Sequence, residues 1–213
     1  WDREGSVDFI VPMMYYRDNL FDPFLADWKA QIPGLPIVPG LAPYRIEDES
    51  KWTARDIENQ MNASERLGMA GICFYRELNI RPNRNGVDRV IARLFTAPAR
   101  MPSFAKRGAN RPPRPSRLTI EDRGQYLEAS WTMPSSWNSS KGTFNLYVSV
   151  PEGNLAGENF LLATLIPSTR YTFSKELLQP FSRAKTLQFR VEASSRSYVR
   201  GEASEAAILV KGN

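Results

Sequence analysis

The sequence contains no histidine and only one cysteine among its 213 residues. Without histidine the chain cannot build a Ser-His or Cys-His nucleophilic site, and it lacks a common ligand of zinc. The single cysteine, Cys73, cannot form an internal disulfide, and because it lies in an apolar run we expect a buried, inert thiol. The acidic residues also lack the spacing of an EF-hand. We therefore predict no metal site and no cofactor.

Long hydrophobic runs and targeting signals are also missing. No apolar run approaches the roughly 20 residues of a membrane-spanning helix, so we predict no membrane span. No signal-peptide pattern precedes the first apolar run, and the chain opens on Trp1 instead of methionine, so we expect a fragment of a longer protein. A content of 42% hydrophobic and 24% charged residues is typical of a globular chain and argues against disorder.

Three short apolar runs in the first half of the chain end in the same way, with a tyrosine followed by an arginine. They lie within residues 7–17, 36–45 and 71–77. Apolar runs of about 4–8 residues between helical segments are typical of parallel strands that are covered on both faces. In such folds, ligands bind just outside the carboxyl ends of the strands. The Tyr-Arg endings are therefore the best indication of a functional site.

Helical periodicity between these runs predicts a βαβαβα order. The expected elements are strands at 8–16, 37–42 and 72–75 and helices at 22–32, 53–67 and 87–95. Helical spacing predicts one buried stripe on the first helix, formed by Phe24, Leu25, Trp28 and Ile32. Thr53 and Asp56 resemble a capping box at the start of the second helix. Three strands would leave a sheet edge unpaired, so we expect either a larger α/β domain or self-association through that edge.

Residues 98–114 are rich in proline and arginine, and they lack periodicity, which predicts a linker between two domains. The basic residues in and beside it are Arg100, Lys106, Arg107, Arg111, Arg114 and Arg117. One interpretation is an arm that binds the phosphates of a nucleic acid. We favour a solvated, extended linker, because Phe104 is its one aromatic residue and single-strand binders use several aromatic platforms.

From Leu118 onward, apolar residues alternate with polar ones. Seven short strands are predicted, at 118–120, 126–131, 144–150, 160–166, 170–173, 187–193 and 206–210. This number of strands over roughly a hundred residues predicts an antiparallel β-sandwich. We therefore expect a second domain at residues 115–213.

The C-terminal part resembles a fibronectin type III domain, a member of the immunoglobulin-like sandwiches. The resemblance is carried by residues 115–118, by Trp131, and by residues 189–193 followed by 201–204. It covers most of residues 112–211 and implies a spacer or docking module. Members of that family usually have a tyrosine two residues before the position of Phe189, where this chain has Leu187.

The N-terminal part resembles the last quarter to third of the (β/α)8 barrel of bacterial glycoside-hydrolase-like proteins, the glycosyl hydrolase-like 10 group. The matching residues are Asp8, Pro12, Tyr15, Trp28, Tyr44, Gln60, Gly71 and Phe74. Met13 stands where that family tends to have glutamine. The resemblance implies that residues 1–97 form about three βα units of a barrel. It also implies a parent enzyme that acts on polysaccharide outside the cytoplasm, in the periplasm or at the cell surface.

Carbohydrate is the expected partner, and the strand ends supply the candidate site residues. The residues expected to stack on sugar rings or bind hydroxyls or a uronic carboxylate are Tyr15, Tyr16, Arg17, Tyr44, Arg45, Tyr75 and Arg76. Glycoside hydrolysis needs two carboxyl groups, and Glu77 and Asp18 are the candidates. The alternatives are tyrosine rings that only pack at the sheet rim, an ion pair of Glu77 with Arg76 or Arg45, and a solvated loop at residues 47–49.

Three functions remain open at this point. The first is a fragment of a secreted glycoside hydrolase that is itself inactive, because the barrel interpretation leaves five strands and their acids outside this chain. The second is a carbohydrate-binding or cell-surface interaction protein without catalysis, which Met13 favours. The third is nucleic-acid binding through the arginine-rich linker. We assign no nucleophile.

Overall fold

The computed structural model describes residues 4, 6–49, 51–104, 110–137, 141–152 and 158–211. The chain separates into two compact units, Trp1–Thr96 and Ala97–Asn213. Within the described residues, no helix is both long enough and apolar enough to cross a membrane.

The first unit combines helices with a small parallel sheet. Its elements are α1 Phe21–Gln31, β1 Gly40–Leu41, α2 Arg45–Asp48, α3 Ala54–Arg66, β2 Cys73–Phe74 and α4 Val87–Leu94. Short 3-10 helices occupy Asp18–Leu20 and Glu77–Ile80. The short helix α2 lies where the sequence predicts a solvated loop, so that expectation is wrong.

The sheet is smaller than the sequence predicts. β1 pairs with β2 in parallel, and two isolated parallel bridges join Ile10 to Ile37 and Met13 to Gly40. The run within residues 7–17 is therefore parallel to the run within residues 36–45, which is in turn parallel to the run within residues 71–77. Of the described residues in this unit, only β1 and β2 form a sheet. Pro12, Pro36 and Pro39 lie in these segments, and a proline has no N–H to donate to a ladder. A partial barrel is not shown by this sheet.

The predicted helices lie close to their observed positions, but the sequence predicts less well which of their side chains are buried. Helix α3 begins after Thr53, whose backbone N–H donates to the Asp56 carboxylate at 2.7 Å, as the capping box predicts. The expected stripe of α1 is wrong: Leu25 is buried, but Phe24 is 44% exposed and Trp28 is 36% exposed. Helix α1 also begins at Phe21, so Asp22 lies inside its first turn.

The second unit is an antiparallel β-sandwich, which confirms the expected fold class. Its strands are β3 Ser116–Asp122, β4 Tyr126–Thr132, β5 Gly142–Ser149, β6 Phe160–Ile166, β7 Arg170–Ser174, β8 Thr186–Ser195, β9 Arg200–Ala203 and β10 Ala207–Val210. One sheet has the order β3-β4-β7, and the other has β10-β8-β5-β6 with β9 also paired to β8. This division of strands is that of immunoglobulin-like and fibronectin type III-like sandwiches. The sequence did not predict β9 or the 3-10 helix Lys175–Phe181.

Alternate residues of the two sheets form the sandwich core. Phe144 and Phe189 are among its largest fully buried side chains, and Trp131 packs edge-on against Phe144 with ring centroids 5.1 Å apart. Leu187, at the position of the family's tyrosine, is completely buried and contributes an apolar contact in its place. Gly142 allows the close approach of β5 and β8, because a Cβ there would lie 1.9 Å from the Ser194 carbonyl oxygen.

Candidate functional site

Three tyrosines from the three parallel segments meet at one edge of the first unit. The ring centroids of Tyr15 and Tyr44 are 5.9 Å apart, those of Tyr44 and Tyr75 are 5.8 Å apart, and those of Tyr15 and Tyr75 are 6.4 Å apart. We call these residues the tyrosine cluster. Each follows the carboxyl end of a parallel segment, and such ends lie at the same edge of a sheet. The backbone N–H of Tyr75 donates to the Leu41 carbonyl at 2.9 Å, which fixes the third segment beside the second.

The rings of the tyrosine cluster lie close to one another and remain accessible. Tyr75 is 53% exposed, whereas Tyr15 and Tyr44 are half-buried. Burial raises the pKa of Tyr15, and the neighbouring hydroxyls of Tyr44 and Tyr75 raise the pKa further. The Tyr15 phenol is therefore neutral near neutral pH, and its hydroxyl donates to the Met13 sulfur at 3.1 Å. Such a group offers an aromatic face and a hydrogen-bonding edge without a charge.

Tyr16 is also a candidate site residue from the sequence, but it does not belong to the tyrosine cluster. Its ring packs against Phe24, with centroids 5.0 Å apart. Successive side chains of an extended segment point to opposite sides, which separates Tyr16 from Tyr15. The Tyr16 carbonyl accepts a hydrogen bond of 2.6 Å from Nε2 of the buried Gln60. Gln60 thus anchors the end of the first segment to α3.

Trp52 also lies at this edge of the first unit, although its place in the sequence does not mark it as a site residue. The guanidinium carbon of Arg17 lies 5.9 Å from the Trp52 ring centroid, and that of Arg45 lies 5.7 Å from it. Arg45 also lies 5.8 Å from the ring of Tyr44. Trp52 precedes the helix cap and shares a buried cluster with Ile57, the pattern of a hydrophobic staple. That spacing is the signal that could have revealed Trp52.

The three candidate arginines have different environments. Arg17 pairs with Asp18 at 3.1 Å and donates to the Lys51 carbonyl. Arg45 pairs with Glu49 through Nη1. Arg76 is exposed, and no described carboxylate lies within ion-pair distance of it. The site therefore holds two ordered guanidiniums and one that projects into solvent.

Neither candidate acid has the environment of a general acid. Both oxygens of Glu77 accept hydrogen bonds from Arg81, at 2.8 and 3.0 Å, and this contact holds the pKa of Glu77 below its ordinary value. The partner is thus Arg81, one helical turn away, and not Arg76 or Arg45. Asp18 is exposed and pairs with Arg17. A general acid in glycoside hydrolysis needs a raised pKa, which burial without a cation would supply.

Glu47 is the carboxylate with the most hydrogen bonds in this region. It accepts from Arg84 at 2.6 and 2.7 Å and from Asn85 at 3.2 Å. Hydrogen bonds from Arg84 and then Asn79 lower the pKa of Glu47 to about 2. These contacts join α2 to the segment before α4. Glu47 therefore holds together the loops beside the tyrosine cluster.

Cys73 is exposed, so the expectation of a buried thiol is wrong. Its side chain lies on a face of the small sheet that also carries Met13, which is 59% exposed. The buried cluster of this unit, with Met14 and Leu41, lies on the other side. Among the residues that the structure describes, no group of three or more His, Cys, Asp and Glu side chains could hold a metal ion.

Two arginines of the Pro/Arg-rich segment contact the sandwich. Arg100 lies 5.9 Å from the ring centroid of Tyr147 and donates to its hydroxyl at 3.3 Å. Arg114 donates to the Ala203 carbonyl and to Glu205, both at 2.7 Å. Lys106 and Arg107 lie outside the described residues. These contacts occupy guanidinium donors that phosphate binding would need.

A cleft of about 350 Å³ lies in the second unit, and none of its lining residues is a predicted site residue. Its lining includes the apolar side chains of Leu127, Leu178 and Leu209 and the amines of Lys175 and Lys211. Both amines have partners: Lys175 pairs with Asp122 at 2.7 Å, and Lys211 donates to the Phe181 carbonyl at 2.7 Å. Among the described residues that line this cleft, no buried side-chain polar atom lacks a partner, so nothing marks it as a site.

No protein-family model matches this sequence, and no curated protein matches it. Among solved structures, the sixth fibronectin type III domain of human fibronectin type III domain containing protein 3 matches with 19% identity and a TM-score of 0.35, over 50% of this chain and 94% of that one. A pectate lyase from Pectobacterium carotovorum matches with 16% identity and a TM-score of 0.31, over 45% of this chain and 26% of that one. A beta-1,2-glucanase from Parabacteroides distasonis matches with 12% identity and a TM-score of 0.31, over 45% of this chain and 12% of that one.

Proposed function

We propose that the first unit binds carbohydrate at the tyrosine cluster. The observation behind this proposal is the meeting of Tyr15, Tyr44 and Tyr75, whose ring centroids lie 5.8 to 6.4 Å apart. A pyranose ring has an apolar face and a rim of hydroxyls, so it suits aromatic rings flanked by hydrogen-bond donors. Arg17 and Arg45 are the flanking donors here.

The proposed activity of this chain is binding without hydrolysis. Glu77 and Asp18 each pair with an arginine, and neither is buried. A catalytic pair needs two carboxyl groups with different pKa values on opposite sides of one glycosidic bond. Neither Glu77 nor Asp18 lies in the buried setting without a cation that the acid of such a pair needs.

We also propose that the first unit is part of a (β/α)8 barrel in a glycoside-hydrolase-like protein that acts outside the cytoplasm. Three parallel segments in chain order, with helices between them, support this placement. The exposed Met13 and Cys73 lie where further barrel strands would cover them. On this proposal residues 1–97 are barrel units, 98–114 a linker, and 115–213 a spacer or docking module.

Binding to a panel of polysaccharides, measured by affinity electrophoresis, tests the proposed function. We expect retardation by at least one polysaccharide, and we expect Tyr75→Ala to weaken that binding by about tenfold, as loss of one well-packed aromatic contact would. Tyr75 is 53% exposed, so its truncation should leave the fold intact. Tyr126→Ala is the matched control, because Tyr126 is 43% exposed and lies in the other unit.

Two results would contradict the proposal. Absence of binding to every polysaccharide would exclude a sugar site, and equal losses in the two tyrosine variants would exclude this one. A reducing-sugar assay on the same panel tests for hydrolysis. Release of sugar by the wild-type chain would show catalysis, and Glu77 and Asp18 would then be the pair to replace.

A further inference from the structure

The two units differ in charge. Residues 1–96 contain 12 lysines and arginines against 14 acidic residues, whereas residues 97–213 contain 16 against 9. The first unit therefore has a formal net charge of −2 and the second a net charge of +7. A surface that concentrates charge of one sign attracts partners of the opposite sign. The second unit is thus the part of the chain that suits an anionic partner.

The cations of the sandwich are not balanced by acids at the end where β3 begins, which we call the linker end. The strand register places three connections at this end, through the pairs Ser116–Thr132, Ser130–Arg170 and Gly142–Ser195. These connections are residues 133–141, 167–169 and 196–199, and their sequences contain no acidic residue. The connections at the opposite end contain Glu152, Glu158 and Glu176.

Four cations of the linker end meet around the β8–β9 hairpin. The backbone N–H of Arg196 donates to the Lys141 carbonyl at 3.2 Å, and Arg200 pairs with Ser194 across the hairpin. Arg111 precedes Pro112, whose carbonyl oxygen would lie 2.6 Å from a Cβ on Gly201, the neighbour of Arg200.

We call Arg111, Lys141, Arg196 and Arg200 the basic tip. All four side chains are exposed, and none has a described carboxylate within ion-pair distance. Lys141 donates to the Ser136 carbonyl, which leaves its charge uncompensated. The basic tip is therefore open to an anion from solution.

The acids of the neighbouring strands do not neutralise the basic tip. Glu192 is 9% exposed and accepts hydrogen bonds from Asn145 and Tyr147. Glu205 is paired with Arg114. Glu202 is exposed on β9, two residues after Arg200, and offsets one of the four charges. An excess of positive charge remains.

The backbone that carries the basic tip is fixed. The N–H groups of Ser197 and Val199 both donate to Oγ of Ser195, at 3.2 and 3.1 Å. The backbone N–H of Phe104 donates to the Ser197 carbonyl at 2.8 Å, and its ring centroid lies 5.6 Å from that of Tyr198. Binding at such a surface costs little backbone entropy.

The surroundings of the basic tip favour one class of polyanion. Single-stranded nucleic acids stack their bases on several aromatic platforms, but Phe104 and Tyr198 are half-buried and meet edge to face at 73°. Helices that bind anionic membranes insert apolar side chains between the cations, and no large apolar side chain of residues 194–202 is exposed. A polysaccharide with carboxylate or sulfate groups needs only accessible, spaced cations.

We propose that the basic tip binds an acidic polysaccharide, whose carboxylate or sulfate groups contact Arg196 and Arg200. A guanidinium binds such groups through two parallel N–H groups. This surface lies in the other unit from the tyrosine cluster and recognises charge, so it does not depend on the proposed sugar site. It gives the proposed docking module a partner of defined chemistry.

The test compares one polymer in two states of charge. Polygalacturonate and its fully methyl-esterified form share a backbone, but only the first carries free carboxylates. Binding of the full chain to each is measured by isothermal titration calorimetry in about 150 mM salt, where exposed charges are screened beyond roughly 8 Å. We expect the acid form to bind at least about tenfold more tightly, and this preference to fall as salt is added.

Paired variants show whether the basic tip makes the distinction. We expect Arg196→Gln with Arg200→Gln to weaken binding of the acid form by about tenfold and to leave the ester form within about twofold, because each exposed ion pair contributes severalfold at most. Arg183→Gln with Lys185→Gln is the matched control, since both residues are exposed cations at the opposite end. This control should change the affinity for either form by less than about twofold.

Three results would overturn the inference. The first is equal affinity for the acid and ester forms. The second is a loss in the control variant as large as in the Arg196 and Arg200 variant, which would show a general charge effect. The third is tighter binding of a single-stranded oligonucleotide than of polygalacturonate, with the same variant abolishing it, which would assign the basic tip to nucleic acid.

Tyr75→Ala separates this inference from the proposed sugar site. It should leave the preference for the acid form unchanged, because Tyr75 lies in the first unit. Loss of that preference in Tyr75→Ala would contradict the assignment to the basic tip. If the wild-type chain keeps the preference but Tyr75→Ala affects no polysaccharide of the panel, the proposed sugar site fails and the basic tip stands.

Discussion

The two units of this chain enclose their cores in different ways. In the sandwich, two sheets face each other, and side chains from β4, β5 and β8 fill the space between them. In the first unit, one small parallel sheet has buried side chains on one side, while Met13 and Cys73 on another face remain exposed. Burial of apolar area is the main source of stability. The sandwich is therefore expected to be the more stable unit.

The two units also differ in where they place their aromatic side chains. The sandwich places its aromatic rings inside, as Trp131 and Phe144 show. The first unit places Tyr15, Tyr44 and Tyr75 at an accessible edge. Functional side chains often lie at the ends of elements whose backbone is fixed by a scaffold. The less enclosed unit is thus the one with the candidate site.

The largest expected effect comes from truncating a buried side chain in the core of the sandwich. Phe189 is fully buried, and its ring centroid lies 6.1 Å from that of Phe173. Phe189→Ala should lower the free energy of unfolding by about 3–5 kcal/mol, because it removes a large side chain and leaves a cavity. Hydrogen exchange should show lost protection in β5 and β8 and unchanged protection in α3.

Ile208→Ala is the control for this experiment. Ile208 lies on β10 in the same sheet but is 61% exposed, so its truncation should change stability by less than about 0.5 kcal/mol. Comparable destabilisation by the two variants would show that the core of the sandwich is placed wrongly. Loss of protection in α3 would show that the units do not unfold separately.

The second prediction tests the core of the first unit. Leu25→Ala should cost about 2–5 kcal/mol, since Leu25 is fully buried in the cluster that also holds Met14 and Leu41. Trp28→Ala on the same helix should cost clearly less, because Trp28 is 36% exposed. Urea unfolding followed by circular dichroism measures both. An equal or greater loss for Trp28→Ala would restore the stripe that periodicity predicts.

The two units also differ in how well the sequence predicts them. In the sandwich, alternation predicted seven of the eight described strands, because each of these strands has one inner and one outer face, and it missed β9. In the first unit, helical spacing grouped Phe24 and Trp28 with Leu25, although only Leu25 points inward. Periodicity shows that a helix has an apolar side, but it cannot tell which apolar residues neighbouring elements cover.

The site was predictable in part, for a similar reason. Tyr15, Tyr44 and Tyr75 could be brought together because parallel strands end at the same edge. The pair of Glu47 with Arg84 could not be predicted, because the two residues are 37 positions apart and meet only through tertiary packing. Likewise, the exposure of Cys73 depends on which face of the sheet is covered.

The third prediction concerns the start of α3. Asp56 accepts a 2.7 Å hydrogen bond from the Thr53 backbone N–H. It lies in the first turn of α3, where its negative charge interacts favourably with the positive end of the helix dipole. Asp56→Ala should destabilise the first unit by about 1 kcal/mol, measured by urea unfolding. Glu65→Ala is the control, because it removes the same charge from the last turn. A larger loss in Glu65→Ala would show that the cap does not matter.

The smallest expected effect depends on pH and concerns Glu47, which lies in the first unit. The folded pKa of Glu47 is about 2, below its ordinary 4.5, because Arg84 and Asn79 donate hydrogen bonds to the carboxylate. A lowered folded pKa stabilises the folded state fully above pH 4.5, and this contribution disappears as the pH falls toward 2. Glu47→Gln should therefore be less stable than wild type at neutral pH, and this difference in stability should shrink as the pH falls from 4.5 to about 2.

Since Glu47 is accessible to solvent, salt should weaken this difference in stability. A difference that stays constant across this range would mean that the ionised Glu47–Arg84 contact does not stabilise the loops beside the tyrosine cluster.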